Sequence, residues 1–513
     1  MGYLLGSDIG TTGVKTVLCD DDGSVVASTS AEYPCYNPRP LWSEQEPTDW
    51  WKGVCKSVRA VLDEAGVGGD EVDGIGLSGQ MHGLVMLDEN DEVIRPAILW
   101  NDQRTGDECD EITEAVGEDR LMELVCNPAL TGFTAPKILW VRKNEPGNYE
   151  QCRRILLPKD YVRFRMSGEY ATEVSDASGM LLLNVPEREW SDEVLDELDI
   201  DKEMLPRCHE SAEVTAKVSE SAAQDLGVMP GTPIVGGAGD QAAGAVGNGI
   251  VSHGVISATL GTSGVVFAFS DSPATDPEGR VHTFCHAVPG QWHVMGVMLS
   301  AGGSLHWVHD KLGDAERMRA EEEGRDSFDI LTEEAAEAVP GSEGLFFLPY
   351  LTGERTPHAN PNAKGAWIGL TPRHGKQEMV RSTMEGITFG MKDSLEIIRG
   401  MGVQMDQIRV SGGGAKSGFW CNMQADIYEQ DVCTINTEQG PAYGVALLAG
   451  VGAERWDTVE DACKSAIRVT DRYKVDESKA DTYRRLYPVW RQLYRDLEDS
   501  FDDITDAVEE LYG

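Results

Sequence analysis

The sequence predicts an α/β protein of two related halves, and three observations carry that expectation. A strand, a Gly-Thr-Thr-Gly turn and a second strand fill residues 3–19, and the pattern returns in the middle of the chain as a strand, Gly261-Thr262-Ser263-Gly264 and another strand. The chain has 513 residues, too many for one core, since domains usually run to roughly 100–250 residues. Glycine-rich passages from strand to helix occur at 233–244 and 407–418, one in each half.

Taken in order, Tyr3 to Asp8 reads as a strand, residues 10–13 as its turn, Val14 to Cys19 and Ser24 to Ser28 as the next two strands. A helix is expected from Thr48 to Glu64, carrying Trp50 and Trp51, with Trp42 just ahead. Aromatics at that spacing are read as core. A buried strand, Gly74 to Ser78, runs into Gly79-Gln80-Met81-His82-Gly83, and Pro233 to Val235 leads to Gly236-Gly237-Ala238-Gly239-Asp240. Residues 246–254 are the expected boundary. In the second half, Val255 to Leu260 and Val265 to Phe269 flank the repeated turn, a helix is expected over Gly386–Arg399, and Gln407 to Val410 enters Ser411-Gly412-Gly413-Gly414. The domains are therefore drawn as 1–250, 251–495 and an acidic helical tail, 496–513, read as a solvated helix.

Composition excludes several classes. The formal charge of −43 rules out general nucleic-acid binding through a basic face. Periodic apolar segments and twelve tryptophans argue against disorder. No apolar run approaches the ~20 residues of a membrane span. The chain opens directly into strand-like sequence without a secretory leader, so a cytoplasmic location is expected. Eleven scattered cysteines, with no C-x-x-C pair, predict reduced thiols and no zinc site. Dispersed acidic residues with few lysines are like the proteins of organisms that accumulate molar salt, where charges are screened beyond roughly 3 Å. An anionic ligand then needs local help, because the overall field repels it.

The candidate chemistry lies in the turns. Gly10, Thr11 and Thr12 expose backbone N–H groups and hydroxyls in a tight hairpin that a phosphate can approach. Asp8 before the turn suits Mg²⁺ held through water, and Lys15 supplies a local cation. Gly261 and Thr262 form the second copy. Gly413 and Gly414 lie between a strand and a helix, where an N-terminus stabilises phosphate charge. No G-K-[ST] follows and no G-x-G-x-x-G opens the chain, which argues against a P-loop or a Rossmann site. Asp240 begins a small-residue helix, where it is either a helix cap or a reactive carboxylate. The glycines before it and the small residues after it clear space for a ligand. Asp102 and Arg104 read as sugar contacts or an ion pair, and Glu354 and Arg355 as a structural pair.

These motifs together resemble the FGGY family of carbohydrate kinases. The match is carried by S-D-I-G-T-T-G-V-K at 7–15, L-W-S-E-Q at 41–45, S-G-Q-M-H-G at 78–83 and R-P-A-I-L-W-N-D-Q-R at 95–104. It continues through G-F-T-A-P-K-I-L-W at 132–140, L-P-K-D-Y at 157–161, T-L-G-T-S-G at 259–264, F-L-P-Y-L-T-G-E-R-T-P-H at 347–358 and G-A-W-I-G-L at 365–370. The resemblance implies two duplicated ribonuclease H-like domains of the actin/Hsp70 type, with nucleotide and sugar between them. It further implies ATP and Mg²⁺ as cofactors, and D-xylulose as the sugar of the branch this chain is most similar to. Residue by residue, Asp240 is similar to the general base, Asp8 to the aspartate that serves Mg–ATP, and Met81 and His82 to the pair lining the sugar. Gly261 and Thr262 match phosphate contacts, and Gly413 and Gly414 the nucleotide turn. Gln241 stands where this branch often has asparagine, keeping the amide on a longer arm. With an ordinary pKa near 3.9, Asp240 would be ionised at neutral pH and could take the C5 hydroxyl proton. A homodimer is compatible with the family, although no surface in the sequence announces an interface.

Other readings are a kinase of ribulose, gluconate or glycerol, an actin- or Hsp70-like ATPase switch, and a glycosidase. The switch has no use for a sugar-facing Asp240. The repeated phosphate turns oppose the glycosidase, which needs only a carboxylate pair.

Overall fold

A computed structural model describes residues 2–512. In the first half, β1 (Tyr3–Ile9), β2 (Gly13–Cys19) and β3 (Val25–Glu32) form an antiparallel meander. Helix α1 (Pro47–Ala65) covers it, burying Trp50, Trp51, Val54, Val58 and Val61 against β2 and β3, so both tryptophans are core. Strand β4 (Val72–Gly79) runs parallel to β1. A long insertion follows, including α2 (Pro158–Ser167) and the short α3 (Val174–Ala177). Then β5 (Val214–Lys217), β6 (Pro233–Val235) and β7 (Ala238–Gly239) complete the sheet, in the order β5-β6-β4-β1-β2-β3 with β7 also beside β4. Helix α4 (Asp240–Gly247) leaves β7 without an intervening loop.

The second half repeats the plan. Strands β8 (Gly254–Leu260) and β9 (Gly264–Ser270) form the hairpin, and β10 (His282–Cys285) and β11 (Trp292–Met298) extend its outer side. Helix α5 (Lys376–Gly400) is longer than the expected segment because its glycines sit inside a buried helix. Strand β12 (Met405–Gly412) pairs parallel with β8, followed by α6 (Gly418–Tyr428), β13 (Val432–Ile435), α7 (Pro441–Gly452), β14 (Val469–Tyr473) and α8 (Glu477–Tyr512). The order is β10-β11-β9-β8-β12-β13-β14. In each sheet the central strand has an antiparallel hairpin partner on one side and two successive parallel strands on the other, ending in an antiparallel edge. The repetition read from two turns thus extends to whole sheets.

The halves interlock. Helix α7, from the second half of the chain, packs on β1 and β4 of the first. Glycine permits this. A Cβ at Gly6 would lie 1.9 Å from the carbonyl oxygen of Ala442, and one at Gly76 would lie 2.0 Å from that of Val445. Helices α4 and α7 also cross, with a Cβ at Gly444 only 1.8 Å from the Ala243 carbonyl oxygen. The small residues after Asp240 therefore serve a helix crossing, and not only an open space for a ligand.

Helix α8 is continuous from 477 to 512. Tyr483, Tyr487, Trp490, Tyr494 and Phe501 are buried on one face, while Ile504, Val508 and Leu511 are exposed near its end. Among the described residues, no helix is long and apolar enough to cross a membrane.

Candidate active site

The strand ends of both sheets converge on one cleft of about 490 Å³, within the size range of small-molecule sites. Asp8, Asp240, Gln241, Gly261 and Gly413 line it, joined by Ser257, Thr259, Ser411, Lys416 and Glu438. The structure thus brings together residues from three separate turns and from both halves.

Asp8 closes β1, in register with Lys15 of β2 and Ser78 of β4. Its Oδ1 is buried without a hydrogen-bond partner. Burial pushes its carboxyl up to about 6, against the opposing pull of the Ser78 hydroxyl and the Lys15 ammonium. Asp240 opens α4. Burial first, and the charge of Asp8 second, push it up to about 7, partly offset by the backbone and side-chain amides of Gln241. The expectation of an ordinary, fully ionised Asp240 is corrected accordingly: two enclosed carboxylates raise each other's cost of ionisation.

That mutual cost is a test of fit for Mg²⁺. An orphaned carboxylate oxygen on Asp8, with a second carboxylate close enough to repel it, is a donor set a hard divalent cation would relieve. No group of three or more metal-ligating side chains occurs among the described residues.

The two hairpin turns are braced differently. The Gly10 N–H donates to the Gly13 carbonyl (3.0 Å), while Tyr33 Oη and Gln45 Nε2 donate to the carbonyls of Gly10 and Thr11 (both 2.6 Å). The Thr11 hydroxyl donates to Gln80 Oε1 (3.2 Å) and accepts from Trp100 Nε1 (3.0 Å), so it is spent within the protein and not offered to a phosphate. Thr12, at the tip, is exposed. In the second turn, the Gly261 N–H donates to Ser263 O (3.0 Å). The N–H groups of Ala301 and Gly303 hold Thr262 O (3.0 Å each), which fixes the turn from behind. Beside it, the hydroxyls of Ser257, Thr259 and Ser411 form a chain at 3.1 and 2.8 Å. Gly412 has a φ of 77°, and a Cβ there would meet Leu260 O at 2.4 Å, so the third turn requires glycine at this point. Lys416 follows it, an exposed cation on the rim of a strongly acidic molecule.

Met81 and His82 lie behind this cleft. Strand β7 pairs with the end of β4, setting Gly239 opposite Gly79, and a Cβ on Gly239 would press on Met81 Cγ at 2.9 Å. His82 has a φ of 67°, which turns its ring towards Phe133 (centroids 4.9 Å apart) and Phe284 of the second half (6.1 Å). A carbonyl only accepts, so His82 Nδ1 donates to Gly179 O (2.8 Å) and the neutral ring carries its lone pair on Nε2. Burial, and then the Lys137 ammonium, hold its pKa well below the usual value. Asp102 is fully buried, and both its oxygens are engaged by the Arg104 guanidinium (2.9 and 2.6 Å) and by the N–H groups of Arg104 and Ser43. Of the two roles left open for Asp102, the geometry supports the ion pair, which holds Arg104 over the Trp42 ring at 3.5 Å. The expected Glu354–Arg355 pair is absent among the described residues. Glu354 accepts instead from the N–H groups of Leu299 (2.9 Å) and Arg355 (2.7 Å).

Sequence reasoning missed Ser411, Lys416 and the Gln45–Gln80 amide pair. Two buried glutamines and a Trp Nε1–H within reach of one another were a signal only in three dimensions.

Two facing α/β halves, with a carboxylate pair between glycine turns, have the plan of a cleft phosphotransferase of the actin-like type. Models of the FGGY family of carbohydrate kinases agree: the N-terminal domain matches residues 3–247 and the C-terminal domain residues 256–453. The chain belongs to that family. It is 39% identical to a xylulose kinase of Escherichia coli over 94% of this chain and 98% of the other. It is 38% identical to a xylulose kinase of Bacillus subtilis over 97% and 98%. The crystal structure of a ligand-bound xylulose kinase from Lactobacillus acidophilus superposes with a TM-score of 0.91 at 26% identity, covering 98% of this chain and all of that one.

Proposed function

We propose that the protein transfers the γ-phosphoryl group of ATP to the C5 hydroxyl of D-xylulose, giving D-xylulose 5-phosphate and ADP. The observation that carries this reading is the meeting of Asp8 and Asp240 in a cleft lined by the glycine turns of both halves, in a chain whose full-length relatives bear the name xylulose kinase.

Phosphoryl transfer asks chiefly for in-line positioning and charge neutralisation. Gly261, Thr262, Gly413 and Gly414 would receive the nucleotide, with Lys416 adding positive charge at the rim. Gly10 and Thr12 would face the transferring group, with Lys15 behind them. Asp8 would hold Mg²⁺, which when bound supplies the positive charge that the phosphates' oxygens require. Compensation of the charge on Asp8 would remove the second cause of the raised Asp240 pKa and favour its ionised form, which is the form that acts as base. Asp240 accepts the proton of the C5 hydroxyl as that oxygen bonds to the γ-phosphorus and the bond to ADP breaks. His82 Nε2 accepts from a sugar hydroxyl, Met81 packs against the sugar's carbon face, and the Gln241 amide reaches a further hydroxyl. Closure of the halves excludes water and limits idle ATP hydrolysis. The acidic surface suits the cytoplasm of a cell that accumulates salt.

The test is an ADP-release assay in concentrated potassium chloride with D-xylulose, ribulose, gluconate and glycerol. D-Xylulose is expected to give the highest kcat/KM. Tight ATP binding with no stimulation by any of the four would defeat the reading.

A further inference from the structure

Behind the cleft lies a fully buried set of charges that the reaction does not use. Lys159 Nζ meets Asp160 (2.9 Å), Asp176 (3.1 Å) and Glu173 (3.3 Å), and Arg163 meets Asp160 (3.2 Å), all with no exposed side-chain surface. Two cations face three carboxylates. Burial pushes the Asp176 carboxyl up to about 8, against the pull of the Lys159 ammonium. Burying ions in this way is costly and gives little net stability, so a packed apolar core would serve stability as well. What the cluster does hold is backbone.

Arg163 Nη2 donates to Gly236 O, and Ser211 O accepts the Gly237 N–H (2.9 Å). Glu173 gathers the rest: it accepts from Ser211 Oγ (2.9 Å) and from the N–H groups of Ser175 (2.7 Å) and Asp176 (2.9 Å). Ser175 Oγ then accepts the N–H of Gly239, the residue before Asp240, at 3.1 Å. Four residues along the same segment, Gly179 O takes the Nδ1–H of His82. The fit there is tight, since a Cβ on Gly179 would lie 2.2 Å from that nitrogen. One buried segment, 173–179, therefore hydrogen-bonds both the backbone on which Asp240 stands and the ring of His82.

We propose that Ser175, held by Glu173 and Lys159, is a positioning residue that fixes Asp240 against the sugar hydroxyl in register with His82. This rests on the proposed kinase reading. The Gly239 N–H donates to Ser175 Oγ one residue before Asp240, so this hydroxyl ties the start of α4 to the 173–179 segment. Without the hydroxyl, Asp240 shifts relative to the acceptor oxygen while the nucleotide turns stay in place. The γ-phosphoryl group is then lost more often to water.

The experiment compares Ser175→Ala with Ser178→Ala. Ser178 lies in the same segment and is also buried, but its Oγ donates to Val174 O and accepts from the Cys285 N–H, with no hydrogen bond to Gly239 or His82 among the described residues. The readout is ADP released per sugar phosphate formed, a ratio independent of the folded fraction, alongside kcat and KM for ATP. S175A should lower kcat about tenfold and raise the ratio severalfold with KM for ATP within twofold, while S178A keeps the parental ratio. An unchanged ratio in S175A, or the same rise in S178A, overturns the positioning role. The parental enzyme is assayed beside them: absence of sugar-dependent turnover there would sink the kinase reading itself, whereas parental turnover with no change in S175A would sink only this inference.

Discussion

At the end of β1, Asp8 stands in register with Lys15 and Ser78; at the end of β8, the same place in the repeated sheet is held by Thr259, in register with Val265 and Ser411. Six strands of each sheet correspond in order and direction, with β7 and β10 as the additions peculiar to each half. The first copy carries a carboxylate and an ammonium, the second a chain of hydroxyls from Ser257 through Thr259 to Ser411. The turns also differ by a residue: Gly10 bonds to Gly13, whereas Gly261 bonds to Ser263. Duplication thus supplies two corresponding corners, and under the proposed function a few side chains would divide the work between them. The charged corner suits the bond that breaks, and the hydroxyl corner suits the nucleotide that is merely held. Neutral donors bind phosphate without perturbing the ionisation of Asp240.

The largest effect is expected at the charged corner. Asp240→Asn should lower kcat by about 10²–10⁴ while sugar binding, followed by calorimetry, stays near the parental value. Turnover close to normal would remove Asp240 from the base role. Asp8→Asn should cost roughly 10²-fold in kcat and weaken the dependence on added Mg²⁺. Thr259→Val, by contrast, should raise KM for ATP up to about tenfold, the scale of one hydrogen bond, with kcat little altered. Equal losses in these two variants would break the division of labour. The pH dependence sharpens it further. Because Asp240 titrates at about 7 in the free protein, activity at low Mg²⁺ should fall as pH drops through 7. In Asp8→Asn that acidic limb should move to lower pH, since one cause of the raised value is gone. The stability sign is opposite. A carboxyl raised by folding contributes most when protonated, so the free protein should lose stability as pH rises from about 4 through about 7. The increase in Tm caused by Mg–ATP should grow over that same interval. Smallest of all, Lys416→Gln should raise KM for ATP a few-fold, and less in concentrated salt than in dilute buffer.

Much of the fold was legible because it is written in local chemistry. The two G-T-[T/S]-G hairpins, the strand before Gly412 and the helix after Asp240 all lie where periodicity and glycine set them. Asp8, Asp240, Gln241, Gly261 and Gly413 line one cleft, yet only their residue types and neighbours announced them. What stayed hidden depends on partners far apart in sequence. The Thr11 hydroxyl looked free because Gln80 and Trp100 come tens of residues later. The pKa of Asp240 looked ordinary because neither its burial nor the charge on Asp8 can be read from a string. Arg355 looked like the partner of Glu354 because adjacency in sequence was mistaken for contact, when backbone N–H groups were the partners.

The interlock of the halves has a consequence for the order of synthesis. Strands β1 and β4 leave the ribosome early, but the helix that covers them, residues 441–452, is made near the end. At the usual roughly 5–20 residues per second, the first sheet waits tens of seconds with one apolar face uncovered. Its glycines at 6 and 76, shaped to receive a helix backbone, are meanwhile a flat surface open to any other chain. The newborn protein is thus most vulnerable to aggregation while its first half is otherwise complete, and a truncation before residue 441 should be insoluble however well its first 250 residues are formed.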